Sequence, residues 1–331
     1  MILITGCNGL LGSQLAANLV AEGHEVRAYV RPGADLSLLS SSLKKQINWS
    51  EGTLFDSYAI GRALEDVDQI IHAAAIVSFA PSRRNEMFKI NVEGTACLVN
   101  EALVAGIKKF VHISSVAALG RPANKMMIDE TDLWVEAESN TNYAKSKYLA
   151  ELEVFRGFEE GLDGFVLNPS VILSPGDLQK SSAKLFGYVL KSGRYYTEGE
   201  LNYVDVRDVC NVLSQLMRLP VNGERFILNA GSVSFKHFFE QIAKEFGKIP
   251  PTKAASAWIK ELIWRIEYIR SLISGSEPLI TRETARMAGA SHGFNNQKIK
   301  TLLNYQFHSI DDSVHWVCQE LAKQQPVHNL L

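Results

Sequence analysis

Cysteine is scarce in this chain. Only four occur in 331 residues, Cys7, Cys97, Cys210 and Cys318, and they form no CxxC or Cys/His group. That scatter excludes a disulfide framework and a zinc knuckle, so no metal is expected and the cysteines read as reduced packing residues of a cytoplasmic protein. A charge excess of one sign is also missing. The 34 Lys and Arg against 36 Asp and Glu leave a formal net charge of −2, with no basic stripe, so nucleic acid is not an expected partner. Long apolar runs are absent: none approaches the ~20 residues of a spanning helix. The first run, from Ile2, has no basic stretch before it and reads as a strand rather than a secretion signal. Repeats and low-complexity linkers are lacking too. What remains, 46% hydrophobic and 21% charged, is the composition of a globular protein of one large domain or two unequal ones.

The informative features begin at the first residues. Ile2-Leu-Ile-Thr5 is a short buried strand, followed by Thr5-Gly-Cys-Asn-Gly-Leu-Leu-Gly12. Leu11, Leu15, Leu19 and Val20 then fall at helical spacing. Glycines let backbone approach a pyrophosphate, and a helix N-terminus offers unpaired N–H groups at the positive end of its dipole. In this strand-turn-helix context the triad predicts a dinucleotide site made by Gly6, Asn8, Gly9, Leu10 and Leu11. The second strand, Glu25 to Val30, addresses which dinucleotide. An NAD site usually ends this strand with an acid on the ribose 2′-OH. Here Val30 is followed by Arg31, and the next acid is Asp35. A guanidinium fork suits a 2′-phosphate, so NADP(H) is expected ahead of NAD(H), which stays possible.

Gln69 to Ala75 reads as another buried strand, and the small Ala73, Ala74 and Ala75 let a cofactor lie across its carboxyl end. His72 is expected to be a satisfied core histidine. A helix is predicted over 85–105, and a strand over Phe110 to Ile113 that runs into Ser114-Ser115. A further strand over Gly164 to Leu167 ends at Asn168-Pro169. Strands alternating with helices through residue 170 predict an α/β fold with a doubly wound parallel sheet of Rossmann type. Residues 1–170, with returning segments near 203–230, are expected to form the dinucleotide domain. Residues 171–331 are expected to be mainly a smaller, mostly helical C-terminal substrate lobe, with helices at 181–191, 205–218 and 234–246 and a strand at 225–228. Trp258, Leu262, Ile266, Ile269 and Ile273 recur at helical spacing and predict a core-facing helix in that lobe.

Tyr143-Ala-Lys-Ser-Lys147 puts a phenol and an ammonium at i and i+4, on one helix face. A free tyrosine titrates near ~10 and is a slow acid-base catalyst at neutral pH. A cation beside it favours the phenolate, so a lowered Tyr143 pKa is expected.

Taken in order, these features resemble the extended short-chain dehydrogenase/reductases, the NAD-dependent epimerase/dehydratase family. The chain is most similar to the dihydroflavonol reductase and 3-beta-hydroxysteroid dehydrogenase branch. The likeness is carried by Thr5 to Gly12, His72 to Ala75, Asn91-Val-Glu-Gly94, Ser114-Ser115, Tyr143 to Lys147, Asn168 to Gly176 and Tyr203 to Asp208. It covers most of the chain and weakens from about residue 250 onward. The resemblance implies that Tyr143 is the general acid/base and that Lys147 bonds the cofactor ribose and helps ionise Tyr143. It implies that Ser115 holds the substrate oxygen, with Ser114 as the alternative, and that backbone from Pro169 to Val171 touches the nicotinamide. Asn91 and Asp205 match family positions and are read as structural. Three motifs depart from the family: Gly52-Thr53 where Gly-Asp is common, Asn168-Pro169 where Arg-Pro is common, and Leu119-Gly120 where sugar-nucleotide enzymes carry Tyr-Gly.

The function so implied is NADPH-dependent reduction of a ketone or aldehyde, or the reverse alcohol oxidation. Its small-molecule substrate would sit near Ile76, Val77, Ser78, Phe79, Val116, Ala117, Tyr195 and Tyr196. A nucleotide-sugar epimerase or dehydratase on retained NAD is the first rival, and a non-catalytic cofactor sensor the second. A homodimer is implied by resemblance alone.

Overall fold

The computed structural model describes residues 1–122, 125–138, 140–256 and 292–324. The apolar stripe from Trp258 to Ile273 lies outside them. Seven strands form one parallel sheet: β1 (Ile2–Thr5), β2 (Val26–Val30), β3 (Asn48–Glu51), β4 (Gln69–His72), β5 (Lys109–Ile113), β7 (Gly164–Pro169) and β11 (Glu224–Leu228). Their order is β11-β7-β5-β4-β1-β2-β3. The order turns at β1, which pairs with β2 on one side and β4 on the other. That reversal opens a crevice at the carboxyl ends of β1 and β4, the usual ligand position in such sheets. Central strands read as continuous apolar runs because both faces are covered: β1 is buried throughout.

Helices cover the two faces. On one, α1 (Leu10–Ala21) and α8 (Val206–Met217) bury Leu11, Leu15, Leu19, Val209, Leu213 and Leu216. On the other, α3 (Ser57–Ala63), α5 (Gly94–Val104) and α6 (Asn142–Glu159) bury Ile60, Leu98, Ala102 and Val154 against Phe110. Each buried Leu, Ile or Val side chain among them contributes about 1.5–3 kcal/mol. α2 (Ser41–Gln46) is the short helix between β2 and β3.

The helix predicted over 85–105 forms without a break from Arg84 to Val104, but its hydrogen-bond register changes in the middle. α4 (Arg84–Phe88) and α5 are joined by a π-helical turn, Lys89–Glu93. Asn91, inside that turn, is buried and bonds backbone rather than solvent. It accepts from Ile76 N at 2.7 Å and donates to Ile76 O at 2.9 Å and to Ser146 Oγ at 3.1 Å. Such turns concentrate at functional sites, and this one fixes the loop that follows β4.

The C-terminal lobe carries more strand than the predicted helical pattern. β8 (Val171–Leu173), β10 (Glu200–Asp205) and β12 (Gly231–Ser234) form a three-stranded sheet in the order β12-β10-β8. β10 runs parallel to β8 and antiparallel to β12. α7 (Ala183–Leu190), α9 (Phe235–Phe246) and α11 (Ile310–Gln324) pack on it through Phe186, Phe238, Phe239 and Val317. Small two-stranded pairings join β9 (Tyr195–Tyr196) to β13 (Lys253–Ala254), and β6 (Met127–Ile128) to β14 (Gly293–Phe294). The remaining helix is α10 (Gln297–Leu303). No described helix is long and apolar enough to cross a membrane.

The helix that bears Tyr143 starts sharply. Thr141 is its N-cap, and its side chain accepts from Ala144 N at 3.0 Å. Thr141→Ala should cost about 1 kcal/mol. The check is a urea midpoint that falls while the slope stays constant; an unchanged midpoint would remove the cap from the account.

Candidate active site

The glycine turn is built against β4 by close backbone contact. Gly6 has a φ of +72°, and a Cβ there would lie 2.6 Å from Ala74 N. A Cβ on Gly12 would lie 2.1 Å from Gly6 O. The turn is therefore folded tightly on itself and on the Ala73–Ala74 backbone, leaving N–H groups at the start of α1 facing the crevice. Thr5 ties the two strand ends together: its carbonyl accepts from Ala73 N at 3.2 Å and its hydroxyl from Ala74 N at 3.2 Å. The same hydroxyl bonds His72 Nδ1 at 2.7 Å, and Thr95 bonds Nε2 at 2.9 Å. Burial holds His72 down at about 3, aided by the Lys147 charge. It is a neutral core histidine, as its apolar strand implied.

From the lobe side, the loop after β8 crosses the turn. A Cβ on Gly176 would lie 2.6 Å from Leu10 Cδ1, and Lys180 reaches Asp35 at 3.3 Å. Arg31 is exposed just beyond β2. It lies close enough to α4 to help hold the Glu86 carboxyl below its ordinary range, behind the larger effect of the Arg83 hydrogen bond. A hollow of about 220 Å³ opens at this end of β2 and β3, bordered by Val30, Gly33, Lys44, Trp49 and Glu51. Beyond β3, a Cβ on Gly52 would fall 2.1 Å from the Tyr29 hydroxyl, which donates to Thr53 O at 2.9 Å. The departure at Gly52-Thr53 is thus filled by Tyr29 and backbone.

Across the crevice, β5 ends in Ser114-Ser115 and α6 brings Tyr143 to them. The Ser115 side chain lies close enough to the Tyr143 phenol to oppose its upward shift, and it accepts from Ala117 N at 3.1 Å. Ser114 is buried, and its hydroxyl makes no hydrogen bond among the described residues. The Phe79 ring meets the Tyr143 ring edge-on, with centroids 5.8 Å apart. Lys147 is 2% exposed and donates to Ile113 O at 2.8 Å. Burial lowers it to about 8. For Tyr143 the direction is opposite to the sequence expectation. Burial raises the phenol, and the counteracting group is Ser115 rather than Lys147. Helix spacing shows that two side chains share a face; it does not show that the ammonium is engaged by the Ile113 carbonyl.

Pro169 closes β7, and Val171 opens β8, partly exposed beside it. Of the other pocket candidates, Val77 is exposed, while Ser78 is buried with its hydroxyl on Ala80 N at 3.2 Å. Val116 is buried next to Ser115. Tyr196 packs against the lobe core, and Tyr195 exchanges backbone bonds with the Tyr188 hydroxyl. Asp205 caps α8 and pairs with Arg207 at 2.7 Å, a structural role. All four cysteines are free, and burial raises Cys7 to about 12. No cluster able to hold a metal ion occurs among the described residues.

A reversing parallel sheet, a glycine turn at its switch point and a serine–tyrosine–lysine group across the crevice define a dinucleotide-dependent oxidoreductase fold. The chain belongs to the NAD dependent epimerase/dehydratase family, whose profile matches residues 2–231, and it is an NAD(P)-dependent oxidoreductase of the extended short-chain dehydrogenase type. It is 32% identical over 231 residues to sterol demethylase protein B of Methylococcus capsulatus, covering 68% of each chain. It is 26% identical to a putative dihydroflavonol 4-reductase of Synechocystis, covering 95% of this chain and 93% of the relative. Among solved structures, gox2253 superposes with a TM-score of 0.83 at 30% identity over 99% of both chains.

The residues that sequence reasoning missed are Glu151, Arg225 and Asn168 as a set. Asn168 donates to Glu151 Oε1 at 2.6 Å and to Ser115 O at 3.0 Å. Arg225 reaches Glu151 Oε2 at 3.3 Å. Glu151 could have been found by extending the i, i+4 stripe one more turn; Arg225, 74 residues away, could not.

Proposed function

We propose that the protein is an NADPH-dependent reductase of an apolar ketone or aldehyde. The observation that carries the reading is the juxtaposition of Ser115 and the Tyr143 phenol, beside a buried Lys147 and across the crevice from a tightly folded glycine turn. When bound, the nicotinamide supplies the hydride. Ser115 holds the substrate oxygen by hydrogen bond, and Tyr143 donates the proton that the developing alkoxide needs. A phenol raised by burial stays protonated at neutral pH, which suits the donor role in the reductive direction. Lys147 holds the cofactor ribose. Phe79, edge-on to Tyr143, supplies an apolar wall for the group attached to the carbonyl. The cofactor lies along residues 1–170, and residues 171–331 mainly contribute the substrate side.

The choice of NADPH rests on Arg31 and on the absence of an acid at the end of β2. Arg31→Ala should weaken NADPH at least tenfold, about 1.4 kcal/mol, and leave NADH unchanged. The experiment is a fluorescence titration of cofactor-stripped protein with both nucleotides, after identifying anything released on denaturation. Equal loss for both nucleotides would remove the 2′-phosphate role. Retained NAD⁺ would instead direct substrate tests to nucleotide sugars.

A further inference from the structure

Beneath the proposed reaction centre, α6 carries a second carboxylate that the reductive mechanism does not use. Tyr143, Lys147 and Glu151 stand at successive i+4 positions, so one helix face presents a phenol, an ammonium and a carboxylate in line. Glu151 is 1% exposed. A carboxylate that deep is retained only when paired and hydrogen-bonded. Its partners are all donors from other elements. Asn168 on β7 gives Nδ2 at 2.6 Å, and Arg225 on β11 gives Nη1 at 3.3 Å. Arg225 is itself pinned by the carbonyls of Glu130 at 2.8 Å and Asp132 at 3.1 Å. Ser114, at the end of β5, is near enough to favour the carboxylate, although its hydroxyl makes no hydrogen bond among the described residues. The adjacent strands set this arrangement: β11 pairs with β7, placing Arg225 opposite Val166 and Ile227 opposite Asn168.

We propose that Glu151, held by Asn168 and Arg225 one helical turn from Lys147, is a positioning residue whose charge keeps the buried Lys147 ammonium protonated at the reaction centre. The inference rests on the reading of Lys147 as the cofactor-side cation, and deepens it. The hydrogen bond from Lys147 to the Ile113 carbonyl does not by itself offset burial of its charge. Burial brings it down to about 8, and the Glu151 charge is the group that opposes the fall.

The other titratable groups around Lys147 do not take over this role. His72 on β4 and His112 on β5 are both held well below neutrality by burial, with the Lys147 charge adding to it. Tyr143, on the same helix face, is raised. Arg225 is cationic and acts on Glu151. Burial leaves Glu151 raised above its ordinary value, while Ser114, Arg225, Asn168 and Lys147 offset part of the rise. The ammonium and carboxylate therefore support each other's charged forms. Asn168 extends the effect, because its single Nδ2 bridges Glu151 and the Ser115 carbonyl and so links the carboxylate to the serine that faces Tyr143.

The test is the titration of Lys147 itself, which needs no turnover. Protein labelled in its lysine side chains is followed by NMR between about pH 6 and 10, a range spanning the ordinary lysine value and the lowered one, with Lys147→Arg assigning the signal. Glu151→Gln keeps the shape and removes the charge. Its Lys147 midpoint should fall by about one unit or more, a tenfold change in the proton affinity. Glu151→Asp, which keeps the charge, should stay near the wild-type midpoint. A Glu151→Gln midpoint equal to wild type would overturn the proposal. Should Glu151→Gln fail to fold, Asn168→Ala decides: loss of the donor weakens the carboxylate, and a Lys147 midpoint that does not move down overturns the proposal equally. Failure of the reductase reading would look different, since carbonyl compounds would not turn over while the Lys147 midpoint still moved.

Discussion

Tyr143→Phe should lower kcat by a factor on the order of 10²–10⁴, the usual contribution of a positioned proton donor. NADPH affinity should stay unchanged, because the deleted atom is one oxygen that faces Ser115. The ring remains, so its edge-on contact with Phe79 remains as well. The loss is therefore of an interaction made in the transition state, and it appears in kcat and kcat/KM together. Ser115→Ala provides the comparison. It removes the hydrogen-bond donor to the substrate oxygen and leaves the proton source in place, so its cost should be the smaller. Wild-type turnover by Tyr143→Phe, measured with any carbonyl compound the wild type reduces, would end the acid/base assignment.

Tyr143 stands out in the amino-acid sequence while its pKa direction does not, because only some of the forces on it are local. Pairing at i and i+4 is set by the helix itself, so the Tyr143–Lys147 face is legible. So is the strand-turn-helix at the start of the chain, where Gly6, Gly9 and Gly12 have few other uses. Burial belongs to the whole fold. Whether Tyr143 is desolvated, and whether Lys147 is turned to Ile113, depends on β5 and on the loop carrying Phe79. The same division explains the lobe. Strands of three to six residues, such as β8, β10 and β12, carry too little periodicity to be read singly. Their pairing depends on partners far away, Tyr203 with Val171 and Leu201 with Val233. The π turn at Lys89–Glu93 is likewise invisible to a helical pattern, since it is stabilised by Asn91 reaching back to Ile76.

Gly12→Ala separates the two meanings a glycine can carry in this fold. Gly12 lies within α1, and helix propensity alone would make alanine better by about 1 kcal/mol. The geometry opposes that gain. The added Cβ would stand 2.1 Å from Gly6 O, 2.7 Å from Gly6 C and 2.9 Å from the Cys7 Cα. Comfortable contact needs roughly 3.5–4.0 Å, and all three neighbours are backbone, so no side chain can swing aside. The turn must open, at an overpacking cost of about 1–3 kcal/mol that exceeds the propensity gain. Opening it also moves the N–H groups at the start of α1 that face the crevice, so NADPH and NADH should both weaken tenfold or more, about 1.4 kcal/mol. Loss for both nucleotides distinguishes this variant from Arg31→Ala. Gly61→Ala is the control: it is helical in α3 and has open space where its Cβ would go. It should raise the unfolding free energy by roughly the 0.4–1 kcal/mol expected of an unstrained Gly→Ala change, seen as a higher midpoint, with cofactor binding intact. A Gly12→Ala protein that unfolds like wild type and binds NADPH as tightly would mean that the turn is not the rigid cradle its contacts describe.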